Sequence, residues 1–247
     1  MIPSFIFGKI IETEQLEEAM GHLSVDTLVL FDLDNTLIES SHQFGSIQWE
    51  ENYRTELMDL GKSHDDAHQI AHDLWFEVLP SIRMRLVDKE APLYIQKMRQ
   101  KGCVVLGLTA RPPESACHTL PELDRLGIQF DDRYSDLEFS LNYTILFQKG
   151  VLYCGIYDKK SSALLALLKK LELSPKKIIF IDDKLSHVQD LKEALASVGI
   201  EYVGIRYSKA DLRVKQFDAK IAKLQKEAFP KILSDDEAKA HLLSQEK

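Results

Sequence analysis

An α/β fold built on an open, mainly parallel sheet is predicted by three observations. Residues 27–31, 103–108 and 178–181 are unbroken apolar runs of strand length, the pattern of strands buried on both faces. Helical patterns separate these runs, as crossovers between parallel strands require. Each run also ends in a side chain with chemistry to offer, namely Asp32, Thr109 and Asp182. The expected core domain comprises residues 1–38 and 89–247, and residues 39–88 form a helical insertion. A β-hairpin is expected after the second run.

Taken in order, residues 12–23 carry Leu16, Met20 and Leu23 at helical spacing, with acids near the start. The run 27–31 follows and delivers Asp32 and Asp34. No comparable run occurs in 39–88. There Trp49, Tyr53, Leu57 and Leu60 recur at helical intervals, then Ala67, Ile70, Ala71, Leu74 and Val78, with breaks near Gly61 and Pro80. Pro92 opens a helix that ends at Gly102. Past Thr109, Pro112 and Pro113 mark the first turn of another helix. Residues 139–147 and 151–157 read as two strands joined across Gln148-Lys149-Gly150. An amphipathic helix covers 157–168, another runs from 186 to Gly199, and 202–206 is a short strand. Beyond residue 208 the chain is charged and helical, with Leu212, Phe217, Ile221 and Leu224 as packing positions. Pro230 breaks it, and residues 234–237 open a last helix.

Composition bounds the function. The 247 residues are 45% hydrophobic and 28% charged, enough for one core and an insertion. A formal net charge of -8 argues against nonspecific binding along a nucleic-acid backbone. No apolar run approaches the roughly 20 residues of a membrane span. The first eight residues lack a basic start and a long apolar stretch, so they do not read as a secretory leader. Three cysteines without CxxC spacing, two of them in strands (Cys103 and Cys154), read as buried free thiols of a reducing compartment. A cytoplasmic location is the expectation. His64, His68 and His72 share one helix face, a spacing that can bind a metal. With no acidic partner to complete a site, they read as a polar, solvated face.

The paired acids carry the chemical argument. Period 2 would put Asp32 and Asp34 on one side at the mouth of a buried strand, where two anions repel and resist desolvation. A divalent cation or a shared proton relieves that conflict, although Asp-Asn-Thr also forms turns readily. A second pair, Asp182 and Asp183, ends another buried strand, and turn chemistry twice over is a poor account of both. Hard carboxylate oxygens without sulfur or imidazole favour Mg²⁺. Thr109 suits either a helix cap or an anion ligand. Arg111 suits an anionic substrate or a surface ion pair. Lysine at a helix start opposes the dipole, so Lys159 or Lys160 either reaches back to an anion or is simply solvated.

Asp32-Leu33-Asp34-Asn35-Thr36 resembles motif I, DxDx[TV], of the haloacid dehalogenase-like (HAD) hydrolase superfamily. Thr109 with Ala110 and Arg111 resembles motif II. Lys160-Ser161-Ser162-Ala163-Leu164 resembles motif III, with Lys159 as substitute, and Asp182-Asp183 resembles motif IV. The resemblance implies a Rossmann-like sheet in which 39–88 is a helical C1-type cap that excludes water and selects small substrates. It implies a Mg²⁺-dependent phosphatase acting on a small phosphorylated substrate, while the net charge and the lack of a long apolar run speak against nucleic acid and membrane as partners. Asp32 would be the nucleophile that forms an aspartyl-phosphate, and Asp34 the acid and base. Thr109, Ala110, Arg111 and Lys160 would hold the phosphoryl group. The metal would lie on Asp32, Asp34 (through its backbone carbonyl) and Asp183, supported by Asp182. A phosphotransferase or phosphomutase, and a noncatalytic binding protein of the same fold, are the alternatives. Leu-Thr-Ala-Arg-Pro together with Ile-Asp-Asp-Lys-Leu-Ser-His-Val also resembles the DUF2608 subfamily, found in bacteria that live inside host cells. That leaves export to a host, like oligomeric state and substrate identity, open.

Overall fold

The structure, a computed structural model, describes residues 8–245. The leader reading therefore falls, apart from Gly8, outside the described residues. Ten strands form among them: β1 (Lys9–Thr13), β2 (Thr27–Phe31), β3 (Ile38–Ser40), β4 (Met84–Leu86), β5 (Val104–Thr109), β6 (Leu137–Ser140), β7 (Thr144–Gln148), β8 (Val151–Tyr153), β9 (Lys177–Asp182) and β10 (Glu201–Tyr207). The helices are α1 (Glu17–Met20), α2 (Ile47–Asp59), α3 (His64–Val78), α4 (Ala91–Gln100), α5 (Ala116–Arg125), α6 (Lys160–Lys170), α7 (Leu185–Ala196), α8 (Asp211–Lys215), α9 (Ala219–Ala228) and α10 (Asp235–Gln245). No helix among the described residues is long and apolar enough to cross a membrane.

Eight strands form one sheet in the order β1-β10-β9-β2-β5-β8-β7-β6, and β3 pairs with β4 apart from it. From β1 to β8 every pairing is parallel, and β7 and β6 add an antiparallel edge. This is a mixed α/β fold with a mostly parallel central sheet. The parallel part follows from the apolar runs. Every residue of β2 is buried, as is nearly all of β5 and β9, so each needs cover on both faces. Leu164 and Leu167 of α6 and Val188, Leu191 and Leu195 of α7 supply it from one side, against Leu28, Leu30, Leu106, Ile178 and Phe180.

Two elements differ from the sequence reading. Residues 9–13 are an edge strand paired with β10, so Glu12 and Thr13 belong to a strand and the helix that follows shrinks to the single turn of α1. The stretch 139–147 divides into β6 and β7, which makes a three-strand meander with β8. The β7–β8 link is a two-residue turn with positive φ at both Lys149 (46°) and Gly150 (77°), the geometry that matches strand twist. A Cβ at Gly150 would lie 2.5 Å from the Asp131 carbonyl oxygen, so only glycine fits there.

By its contacts the chain divides into two units, one of residues 1–37 and 86–211, the other of 38–85 and 212–247. The sheet lies in the first. The sequence places 212–247 in the core domain, whereas in the structure these residues group with the insertion. The reason is a set of buried polar contacts. Fully buried Gln225 on α9 accepts a hydrogen bond from the Phe44 amide (2.9 Å) and donates to the Leu233 carbonyl (2.9 Å) and Asp235 (2.8 Å). Glu39 accepts from both Arg85 (2.8 Å) and Arg213 (2.9 Å). Within the same unit α2 and α3 pack through Leu57, Ala67 and Ala71. His68 is not solvated as expected: its side chain is 14% exposed, 3.2 Å from an Arg54 guanidinium nitrogen on α2.

Replacing Gln225 by Leu leaves the buried Phe44 amide and the part-buried Leu233 carbonyl without their partner, a loss of about 2–3 kcal/mol. Both tryptophans, Trp49 and Trp75, belong to this second unit. The urea midpoint of tryptophan fluorescence is expected to fall in the variant, and an unchanged midpoint would contradict the role given to Gln225.

Candidate active site at the carboxyl ends of four parallel strands

Strands β9, β2, β5 and β8 are consecutive and parallel, so their carboxyl ends open on one edge of the sheet. Asp182 ends β9 and Asp183 follows it, Asp32 follows β2, Thr109 ends β5, and the loop after β8 leads to Lys160 at the start of α6. Chain direction changes sides around β2, which is where open α/β sheets form their crevice. The ladder holds Asp32 in place, its amide donating to the Ile181 carbonyl at 2.9 Å.

Lys160 links the two pairs of acids. Its buried ammonium bonds Asp32 Oδ1 and, at 2.8 Å, Asp182 Oδ2. Lys159, the alternative, is 74% exposed at its side chain and pairs with Asp190 at 2.9 Å. The extended backbone at Lys159 turns the first lysine outward and the second one in. Thr36 also contributes, its hydroxyl donating to Asp32 Oδ2 (3.2 Å) and accepting from the Asp183 amide (3.0 Å). Asp182 is fully buried and well supplied: besides Lys160 it accepts from the Lys184 amide (2.7 Å) and lies 3.0 Å from His187 Nδ1.

The electrostatics follow from sharing one ammonium. Burial opposes ionisation of all three acids, and Asp182, with Lys160 and His187 beside it, is held well below the usual carboxylate range. Asp32 receives less compensation. Its burial outweighs Lys160, and Asp182 and Asp34 add repulsion, pushing it up to about 6. Asp183 rises further, to about 8, through burial and then repulsion from Asp32 and Asp182. Oxygens of Asp32, Asp182 and Asp183 lie within 4.8 Å of one another. An all-oxygen set with unbalanced negative charge fits a hard divalent cation. Among the described residues these three are the group of His, Cys, Asp or Glu close enough to hold one, and His64, His68 and His72 do not form a second.

Asp34 and Arg111 are placed together, apart from that cluster. Arg111 is buried and forks onto Asp34, with Nε at 2.8 Å and a terminal nitrogen at 2.7 Å from the two carboxylate oxygens. Its other terminal nitrogen donates to Thr119 at 3.0 Å. The guanidinium is thus neither a surface ion pair nor presented to solvent. Thr109 is fully buried and its Oγ1 accepts from the Arg111 amide (3.1 Å), which leaves its own proton to donate, and Ala110 lies half-buried between them. Asp32, Asp34, Thr109, Lys160, Asp182 and Asp183 stand out in the sequence, whereas Thr36 and His187 do not. Thr36 stands at the fifth position of the first acidic motif. His187 had no local signal, since the turn into α7 alone brings it to Asp182.

The geometry defines an α/β protein with an acidic, lysine-bridged side-chain cluster at the carboxyl ends of a parallel sheet. Residues 10–239 match the family described as "Protein of unknown function (DUF2608)", and the chain belongs to that family. It is 26% identical over 230 residues to a Chlamydia pneumoniae protein named "Putative outer membrane protein", covering 92% of this chain and 87% of that one. A Rickettsia prowazekii relative, named "Uncharacterized protein", is 25% identical over 234 residues, 89% and 83% of the two chains. Among solved structures, the class C acid phosphatase from Bacillus anthracis with tungstate bound is similar at 14% identity and a TM-score of 0.40, over 92% of this chain and 83% of that one.

The raised carboxyls set a pH dependence. A carboxyl whose folded value lies above its unfolded one favours its neutral form in the folded state. Its contribution to stability is complete below about pH 4 and is lost as pH rises through the folded value. For Asp32 and Asp183 that window runs to about 6 and about 8. Asp182, lowered, acts in the opposite sense, and its contribution is lost only in strong acid. Added Mg²⁺, used as a probe cation, is therefore expected to raise Tm more at about pH 8 than at about pH 5, where it must displace protons. Thermal melts with and without the ion at both values check this, and an equal or larger rise at the lower pH would contradict it.

Proposed function

We propose that the chain is a phosphoric monoester hydrolase of HAD type, dependent on Mg²⁺ and working through an aspartyl-phosphate on Asp32. The observation that carries the reading is the Lys160 ammonium held between Asp32 and Asp182, with Asp183 in the same oxygen cluster. In this reading residues 39–88 are the cap insertion and the substrate is a phosphate ester of a small alcohol.

Asp32 attacks phosphorus in line, forming an acyl-phosphate bond as the bond to the leaving oxygen breaks. Asp32 and Asp183, with Asp182 in support, would hold Mg²⁺, whose positive charge would offset repulsion between nucleophile and phosphate. An ammonium carries three protons. Lys160 gives two to Asp32 and Asp182, and the third goes to an oxygen of the transferring phosphoryl group. The Thr109 hydroxyl donates to another. Asp34, aimed by the Arg111 fork, gives a proton to the departing alkoxide and takes one from the water that then opens the acyl-phosphate. Arg111 is a positioning residue here rather than a phosphate ligand.

Asp32→Asn keeps the shape and removes the nucleophile. Turnover of p-nitrophenyl phosphate with Mg²⁺ is expected to fall by about three orders of magnitude or more. Retained turnover in the variant would reject the mechanism, and its absence in the unsubstituted protein would reject the activity. Alcohol release exceeding phosphate release when a diol acceptor is added would move the assignment to phosphoryl transfer.

A further inference from the structure

The loop that joins β8 to Lys160 carries an exposed aromatic pair that the chemistry above does not use. It is tied to the site at both ends. The Gly155 amide donates to the Arg111 carbonyl (3.1 Å), and five residues later Lys160 bonds Asp32. Between these ties stand Ile156 and Tyr157, the tyrosine 53% exposed. Tyr143, equally exposed, stacks on Tyr157 with ring centroids 4.5 Å apart and planes inclined by 26°.

The pairing is built. Tyr143 lies in the turn between β6 and β7, and antiparallel register places that turn at the carboxyl end of β8. Buried Asp158 fixes it there, accepting from the Tyr143 amide (3.0 Å) and from the Asn142 side chain (2.8 Å) and amide (3.3 Å). A buried carboxylate with three donors holds two loops in register so that two large rings meet in the open. Water gains little from contact with such flat apolar faces, whereas a planar group stacks on them well.

We propose that Tyr143 and Tyr157 form the platform for the alcohol side of the ester, so that the substrate is a phosphate monoester whose alcohol carries a planar aromatic group, aryl or nucleoside. This rests on the phosphatase reading for the position of phosphorus. With the phosphoryl group at Asp32 and Lys160, the alcohol extends outward along the edge where residues 155–158 lie.

The test compares hydrolysis of 1-naphthyl phosphate and glycerol phosphate by the full chain with Mg²⁺. In Tyr143→Ala and Tyr157→Ala the ratio of kcat/KM, naphthyl over glycerol, is expected to fall about tenfold, the scale of one lost stacking partner. Tyr157→Phe, which keeps the plane, is expected to retain the ratio. A ratio unchanged in both alanine variants, or lost as much with Phe as with Ala, would overturn the platform. If the unsubstituted protein hydrolyses neither ester, the phosphatase reading fails by itself, and the platform is then read from saturation-transfer NMR of 1-naphthyl phosphate. Binding lost in the alanine variants supports it, and binding absent or indifferent to them overturns it. Sedimentation showing a dimer that the alanine variants abolish, with the ratio unaltered, would assign the surface to a second copy and overturn it likewise.

Discussion

A single buried ammonium shared by two buried carboxylates is the constraint around which the first unit is arranged. Taking Lys160, Asp32 and Asp182 out of water costs several kcal/mol per ion, and only close contact among them offsets it. Each partner therefore depends on a separate piece of chain arriving in register: β2 for Asp32, β9 for Asp182, and the first turn of α6 for Lys160. The parallel sheet supplies that register. The ladder bond from Asp32 to Ile181 fixes one acid against the strand that bears the other.

Charge is nevertheless left over. Three carboxylates meet one ammonium, and the share that each receives decides its ionisation. Asp182 takes most through Lys160, His187 and the Lys184 amide, while Asp183 takes least. A fourth acid, Asp34, has a cation of its own, Arg111. Two acids two positions apart in the chain thus stand in different electrostatic surroundings. Such division is what a reaction needs when one carboxylate attacks and a neighbour moves protons. In the proposed function the outer tyrosine pair would then act on the alcohol alone.

Much of this is legible in the chain, for local reasons. Buried strands are written as contiguous apolar residues, and the acids at their ends stand out because nothing in such a run prepares for them. Lys160 is legible only as one of a pair. Lys159 and Lys160 differ in backbone geometry, not in type, and the extended conformation at the first decides which one turns inward. Long-range partners are not legible at all. Arg111 reaches Asp34 across 77 positions, and no local pattern distinguishes that fork from an ion pair at the surface. The turn at Asn142 and Tyr143 depends on Asp158, 15 or 16 residues onward, so 139–147 reads as one strand. Gln225 sits in a lysine-rich helix that looks solvated, yet it ties the last segment to the insertion. Edge strand β1 is short and half-exposed, and its partner β10 lies almost 200 residues away.

The central claim is that the surroundings of Asp183 do not compensate a carboxylate there, so that it keeps its proton until a divalent cation takes the proton's place. Calorimetric titration of the full chain with Mg²⁺ at about pH 7, in two buffers of different ionisation enthalpy, reads both binding and the protons set free. With Asp183 pushed up to about 8, the account predicts saturable binding with close to one proton released per ion, reduced to near none in Asp183→Asn. Absence of binding, or binding without proton release, would contradict it.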